Sequence, residues 1–239
     1  MIPSLPSISR QPLLAATACL FLALVPATAA CKVKAIFVQP PDDVPEKAVL
    51  VVGKKFLEIE LPQRNFSPEV ELPAGEMLVG VLTTRPEKPE MPPGAPNFKI
   101  PETWTDCILL FFPDPTNKVF PAKIIPVNAS AANFPLGHTV IFNVSSATVV
   151  AKFGEITTQV KPGQSVTVKP PRSGSGDYPV AIDCTLPGDN TPVALCRSTW
   201  QHEANARQIL FVTPMPQQKN PRVWGVLDRP APLEKTKDN

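Results

Sequence analysis

The sequence predicts an all-β protein built from two tandem immunoglobulin-like β-sandwich domains. Three observations support this prediction. The chain contains 32 prolines, where a background near 5% gives about 12, and an interior proline costs a helix about 3 kcal/mol. Between the prolines lie short runs rich in Val, Ile, Phe and Thr, which are residues that strands favour. These runs recur at short, even spacing with turn residues between them, as in sandwiches and barrels.

The first element, residues 1–30, is predicted to be a secretory signal peptide. Arg10 precedes an uncharged apolar stretch from Leu13 to Val25, and small residues follow it up to Ala30. An apolar run of this length with a small-residue cleavage site is typical of a cleaved leader and is too short for a stable membrane span. We therefore expect an exported protein, periplasmic, secreted or associated with the cell envelope.

Cys31 is the first cysteine after the leader and raises the question of a lipid anchor. The small residues before it suit bacterial lipoprotein processing, but Thr28 stands where leucine is usual. The two readings are ordinary cleavage after Ala29 or Ala30 and lipidation of Cys31. The sequence favours ordinary cleavage and keeps lipidation as the alternative.

The predicted strands follow the leader in two sets. Residues 57–61 and 165–169 show a clear alternation of apolar and polar side chains, which buries one face of a strand and exposes the other. The first set comprises residues 32–39, 48–52, 55–61, 70–72, 76–83 and 107–112. The second set comprises residues 120–127, 138–144, 149–153, 155–160, 165–169, 180–185, 193–199, 207–213 and 222–227.

The two sets predict an N-terminal domain over residues 31–116 and a C-terminal domain over residues 117–228. A mature chain of this length suits one large or two small β domains. Residues 70–79 resemble residues 159–168, since each reads as a strand, a Pro/Gly corner and a second strand. Such corners are common in unrelated sandwiches, so the resemblance supports a shared architecture more than a duplication. The charged, proline-containing segment 229–239 is predicted to be a disordered tail.

Residues 85–101 form the most proline-rich segment and are predicted to be an extended, exposed loop of the first domain. Proline lowers the entropy cost of docking an extended segment, so this loop is also the sequence's candidate partner-binding surface.

Four cysteines remain after the leader, and an exported chain meets an oxidising compartment. Cys184 and Cys196 flank a strong turn sequence, residues 186–192, between two apolar runs. They can face each other across a hairpin, so we predict a disulfide between them. Cys31 and Cys107 could form a second bridge only if Cys31 is not acylated.

Charge and hydropathy exclude two classes of partner. The leader carries one charged residue, Arg10, so the 23 basic residues become 22, against 21 acidic ones. A nearly neutral chain without a basic cluster argues against nucleic-acid binding. No apolar run after the leader is long enough for a transmembrane segment.

Few residues suit catalysis or metal binding. The chain has two histidines, His138 and His202. A copper site of the cupredoxin kind would combine them with Cys196 and Met215, but the spacing is poor. A hydrolase would need a nucleophile beside a histidine, and Ser130 and Ser198 lie in no nucleophile-elbow sequence. We expect no catalytic residues, no metal and no cofactor.

Carbohydrate-binding sandwiches present exposed aromatic platforms. The candidates for such ligand-contact aromatics are Trp104, Trp200, Trp224 and Tyr178. Twelve phenylalanines against three tryptophans and one tyrosine suit core filling instead. By elimination, the sequence favours an exported, non-catalytic structural or protein-interaction module of the cell envelope, with an unidentified protein or envelope partner. A carbohydrate-binding module is the first alternative, and an enzyme or copper protein is the second.

Overall fold

The computed structural model describes residues 30–229, apart from Asp43 and Pro89. The predicted signal peptide and the predicted tail lie outside the described residues, except for Ala30 and Arg229. Within this range the protein is all-β, with sixteen strands and no helix. The described residues accordingly include no helix that could cross a bilayer.

The strands are connected by turns and by several longer loops, of which residues 83–96 are the longest among the described residues. The first eight are β1 (Cys31–Phe37), β2 (Lys47–Val52), β3 (Lys55–Glu60), β4 (Val70–Leu72), β5 (Met77–Leu82), β6 (Asn97–Ile100), β7 (Asp106–Pro113) and β8 (Ala122–Asn128). The last eight are β9 (Thr139–Asn143), β10 (Thr148–Phe153), β11 (Ile156–Val160), β12 (Ser165–Val168), β13 (Gly176–Thr185), β14 (Val193–His202), β15 (Arg207–Thr213) and β16 (Arg222–Asp228).

Strand pairing divides the protein into four sheets of four strands. Sheet A has the order β4-β1-β7-β8, and sheet B has the order β3-β2-β5-β6. Sheet C has the order β12-β9-β15-β16, and sheet D has the order β11-β10-β13-β14. The first eight strands thus build sheets A and B, and the last eight build sheets C and D.

The second sheet pair repeats the topology of the first. Each strand of sheets A and B has a counterpart eight strands later at the same place in sheets C and D. The pairing directions also agree, including the parallel pairs β1 with β7 and β9 with β15. The remaining pairs within both sets are antiparallel. The two halves are therefore one eight-stranded arrangement built twice.

The sequence resemblance between residues 70–79 and 159–168 does not follow this repeat. The first segment spans β4 and the start of β5, whereas the second spans the end of β11 and β12. The topological counterpart of β4 is β12, but the sequence resemblance aligns β4 with β11 and β5 with β12. It is therefore displaced by one strand from the repeat. It reflects the shared chemistry of strand corners and not the topological repeat.

A hydrophobic core lies inside each sheet pair. Between sheets A and B, the alternate β1 residues Val33, Ala35 and Phe37 are buried with side chains of β2, β5 and β7. Between sheets C and D, Val149, Ala151 and Phe153 of β10 pack with β13 and β15 in the same way. Apolar residues at every second position thus provide one buried face for each strand.

A third apolar layer lies between the two sheet pairs. Ile36 of β1 and Leu110 of β7 face away from the A/B core and pack against Phe142 of β9 and Phe211 of β15. The Phe142 and Phe211 rings stack with their centroids 6.0 Å apart. Sheets A and C are therefore buried on both faces, so the order of layers is B, A, C, D.

A buried ion network closes one end of this layer. Asp228 of β16 lies 2.8 Å from Lys34 Nζ of β1 and 2.6 Å from a terminal nitrogen of Arg207 of β15. Arg207 also donates to the carbonyl oxygen of Ala129, and Lys34 lies 3.2 Å from the Glu69 carboxylate. The network therefore connects β1, through Lys34, and the segment after β8, through Ala129, to strands β15 and β16 of the second sheet pair.

The structure corrects the prediction for residues 85–101. Residues 85–94 are largely exposed, but residues 97–100 form β6 and pair with β5. Ala95 is buried, and Met91 packs against the outer face of sheet B, where Gly80 leaves room for its side chain. The segment therefore covers apolar surface, which its proline content alone did not indicate.

The domain boundary predicted between Thr116 and Asn117 would separate β8 from its sheet. β8 pairs with β7 over Cys107–Pro113, so strand pairing divides the chain between Asn128 and Thr139 instead. The turn at Asp114–Asn117 is real, with two contacts from Thr116 to the Asp114 carboxylate. It connects two neighbouring strands of sheet A.

Candidate functional site

The predicted hairpin between Cys184 and Cys196 is present, but both thiols are free. The β13–β14 register places Cys184 opposite Val193 and Cys196 opposite Ile182, with an irregularity between Ile182 and Asp183. The two cysteines are therefore not cross-strand partners, and the predicted disulfide is absent from the structure. Both side chains contribute to the C/D core instead.

Cys31 and Cys107 are neighbours in the A/B core. Cys31 is 2% exposed and Cys107 is 1% exposed, on the adjacent parallel strands β1 and β7. Burial and the charge of Asp106 raise the pKa of the Cys31 thiol to about 11. Burial and the nearby Cys31 raise the pKa of Cys107 still further above its usual range. Both groups are therefore protonated, inert thiols at neutral pH.

The histidines both line one small cavity, together with Tyr178 and Glu203. His202 is buried at the end of β14, whereas His138 is partly exposed. The His202 ring lies edge-on to Tyr178 with centroids 6.3 Å apart. Burial and the charge of Arg172 lower the pKa of His202, which favours the neutral ring. The ring packs beside Gly137.

The copper and hydrolase constellations are not assembled. Met215 lines a cleft between the sheet pairs, whereas His138 and His202 line the small cavity described above. Within residues 30–229, excluding 43 and 89, no three His, Cys, Asp or Glu side chains lie close enough together to hold a metal. The Ser130 hydroxyl accepts a hydrogen bond from the Thr105 amide at 3.0 Å, and the Ser198 hydroxyl donates one to the Thr199 carbonyl oxygen. These serines therefore make local structural contacts.

Each of the three tryptophans is partly buried against a hydrophobic cluster. Trp104 packs on the A/B core and Trp200 on the C/D core. Trp224 packs on Phe211 with ring centroids 4.7 Å apart and donates to Thr213 Oγ1 at 3.3 Å. This geometry supports a packing role for all three.

Two of the clefts formed by the described residues are open to solvent. The larger, about 660 Å³, lies where the two sheet pairs meet, and its wall is dominated by proline. It is lined by Gln39, Pro40, Gln63, Pro214, Met215, Pro216 and Arg222. The other, of about 540 Å³, lies at the far end of sheet D. Neither brings together an acid, a base and a nucleophile.

The edge of sheet D formed by β14 differs from the other seven sheet edges. Natural sheets protect their edges with short strands, proline, charges or bends. β4, β6, β11 and β12 have five residues or fewer, β3 carries three charges, β8 contains Pro126, and β16 contains Gly225 between two charged ends. β14 has ten residues, no proline or glycine, and a single charged side chain, Arg197.

The outer backbone groups of β14 form no backbone hydrogen bond with another described strand, and its own side chains reach two of its carbonyl oxygens: Arg197 Nη1 donates to Cys196 O at 2.8 Å and Ser198 Oγ to Thr199 O at 3.4 Å. β14 pairs only with β13, and no other described segment forms a backbone hydrogen bond with it. From Cys196 to His202 its register with β13 is continuous. This regular seven-residue edge is the candidate functional site, and the sequence signal for it was the long proline-free run after Pro192.

No protein-family model matches this sequence, and no curated protein matches it.

Proposed function

We propose that the protein is an exported, non-catalytic structural or protein-interaction module of the cell envelope, made of two tandem immunoglobulin-like sandwiches. The observation that carries this proposal is the apolar layer between sheets A and C. If a flexible linker joined the two sheet pairs, these faces of sheets A and C would be exposed to water. Large exposed apolar faces are rare in soluble proteins, so such faces would be expected to be polar. Here Ile36, Leu110, Phe142 and Phe211 are all buried in the layer.

A rigid stack of four sheets suits a scaffold. It fixes the distance and angle between the outer surfaces of sheets B and D. A partner can therefore bind without the loss of conformational entropy that ordering two flexible domains would require. The immunoglobulin-like assignment is supported by two four-stranded sheets around each core and by mainly antiparallel pairing. Export is supported by the leader alone.

The non-catalytic part is supported by what the reactive side chains do. The thiols of Cys31, Cys107 and Cys184 fill the cores, and His202 fills the space beside Tyr178. A side chain held in the core by packing contacts does not reach a substrate. The proposal therefore assigns these residues to stability.

The test combines localisation, cross-linking and activity. The mature protein should fractionate with the cell envelope and form a cross-linked product of one defined mass in intact cells. Purified protein should turn over no ester, peptide or glycoside substrate above a heat-denatured control. Turnover that follows the protein through successive purification steps would overturn the non-catalytic assignment, and recovery in the cytoplasm would overturn export.

A further inference from the structure

We propose that the β14 edge binds an extended strand of a partner protein that carries apolar side chains at alternate positions, adding a fifth strand to sheet D. This proposal rests on the proposed interaction function and specifies its partner. Added strands gain affinity from backbone hydrogen bonds and specificity from alternate side chains. The edge position of β14 provides the backbone groups, and the alternation of its side chains provides the specificity.

The side chains of β14 alternate between the sandwich interior and the outer surface. The β13 partners show this, because Cys196 is opposite the buried Ile182 and Trp200 is opposite the buried Tyr178. Ser198, opposite the buried Val180, points towards the interior as well.

Ser198 is nevertheless exposed, between two half-buried neighbours on the same face, Cys196 and Trp200. Its small side chain leaves the rim of the C/D core uncovered at this point. We name the rim formed by Cys196, Ser198 and Trp200 the β14 notch. A neighbouring strand would place one side chain opposite Ser198, and an apolar side chain there would extend the core.

The opposite face of β14 sets the other half of the pattern. Arg197, Thr199 and Gln201 are exposed on the outer surface of sheet D. Arg197 already pairs with Asp183 on the neighbouring strand, so the edge has no unpaired charge that would select a charged partner. Alternating apolar and neutral polar residues therefore fit β14 best.

The repeated topology supplies an internal comparison. β6 occupies the same place in sheet B as β14 occupies in sheet D. It has four residues, and it lies beside the proline-rich segment whose Ala95 and Met91 cover the sheet. A strand-binding peptide should therefore distinguish the two edges.

The probe is a synthetic peptide of about nine residues, a usual strand length, in which valine and threonine alternate between terminal lysines. A peptide of the same composition with its valines in one block is the control. Binding is followed through backbone amide chemical shifts and amide hydrogen exchange of the mature protein. We expect the alternating peptide to shift and protect amides of β14 and to leave β6 unchanged, and the block peptide to bind at least about tenfold more weakly.

Two lysine variants test the β14 notch. Ser198→Lys places a charge on the face that the added strand would bury, so binding should weaken about tenfold or more. Thr199→Lys is the matched control on the outer face and should change affinity by less than about threefold. Equal loss in both variants, or shifts outside β14, would overturn the proposal.

The oligomeric state completes the test. If the free protein is a dimer that Ser198→Lys dissociates, the edge belongs to a second copy and the assigned partner is wrong. If the alternating peptide does not bind while the envelope cross-link persists in Ser198→Lys, strand addition fails and the wider interaction function stands. If both the peptide and the cross-link fail, the proposed function fails as well.

Discussion

Lys34 Nζ lies 2.8 Å from Asp228 Oδ1 and so joins the first strand to the last one. Asp228 is 2% exposed, and Arg207 approaches its other carboxylate oxygen. One carboxylate therefore compensates two cations at the edge of the layer between the sheet pairs. Buried charges are tolerated only when they are paired in this way.

Asp228→Asn should destabilise the protein strongly. The substitution keeps the size of the side chain but removes its charge, which takes away the carboxylate partner of Arg207 and leaves Lys34 paired with Glu69 alone. We expect a loss of about 3 to 5 kcal/mol in the free energy of unfolding, measured by denaturant titration. Asp189→Asn breaks the exposed Lys219 pair and should cost less than about 1 kcal/mol. Similar losses in both variants would contradict the buried network.

Gly225→Ala should destabilise sheet C. A Cβ atom at Gly225 would lie 2.5 Å from Leu210 Cδ2 and 2.9 Å from the Ile209 carbonyl oxygen. Because the second contact is with backbone, the strand would have to shift, and we expect a loss of about 1 to 3 kcal/mol. Gly80→Ala is the control, since its Cβ would meet the flexible end of Met91. It should cost less, and the opposite order would show that the β15–β16 contact is loose.

The free energy of unfolding should fall at alkaline pH. Burial raises the pKa of Tyr178 to about 12, so the unfolded chain loses the phenol proton at lower pH than the folded chain does. The folded state therefore loses stability as pH rises above about 10, the ordinary tyrosine value. Tyr178→Phe retains the ring beside Phe153 and should reduce this decline, while the part caused by the raised thiol pKa values of Cys31 and Cys107 remains. An unchanged slope in the variant would rule out Tyr178 as its cause.

Cys31 should carry no lipid in the mature protein. Its side chain is buried in the A/B core and its backbone pairs with Leu72 of β4, so a diacylglycerol on the sulfur would have to displace the start of β1. Intact-mass analysis of envelope-extracted protein should give the unmodified chain. Thiol labelling of native protein should reach the half-buried Cys196 before Cys31, Cys107 or Cys184. An additional mass of one diacylglycerol on Cys31 would show that, in the protein as it occurs in cells, β1 begins at a residue after Cys31.

The sequence predicted most strands because apolar runs and turn residues determine them locally. The run from Cys107 to Phe112 was predicted as a strand, and its continuous apolar character is explained by the structure, because β7 is covered on both faces. β6 was missed because it has four residues inside the proline-rich segment. The strand predicted over residues 180–185 begins four residues earlier in the structure, because Gly176–Pro179 also belong to β13 and pair with β14.

The candidate site was harder to predict than the strands. Sheet order is a long-range property, so the sequence did not show that β14 would be an edge and β13 its only partner. The exposure of Ser198 between Cys196 and Trp200 likewise depends on that order. The contact between sheets A and C also escaped prediction, because the apolar residues that form it were attributed to the separate cores.

Calorimetry of the mature chain tests whether the two sheet pairs form one rigid body. We expect a single thermal transition whose van't Hoff and calorimetric enthalpies agree, at about 140 kcal/mol for about 200 ordered residues near 60 °C. Two separate transitions, each with about half of that enthalpy, would contradict it, because the layer between sheets A and C would then contribute little to stability.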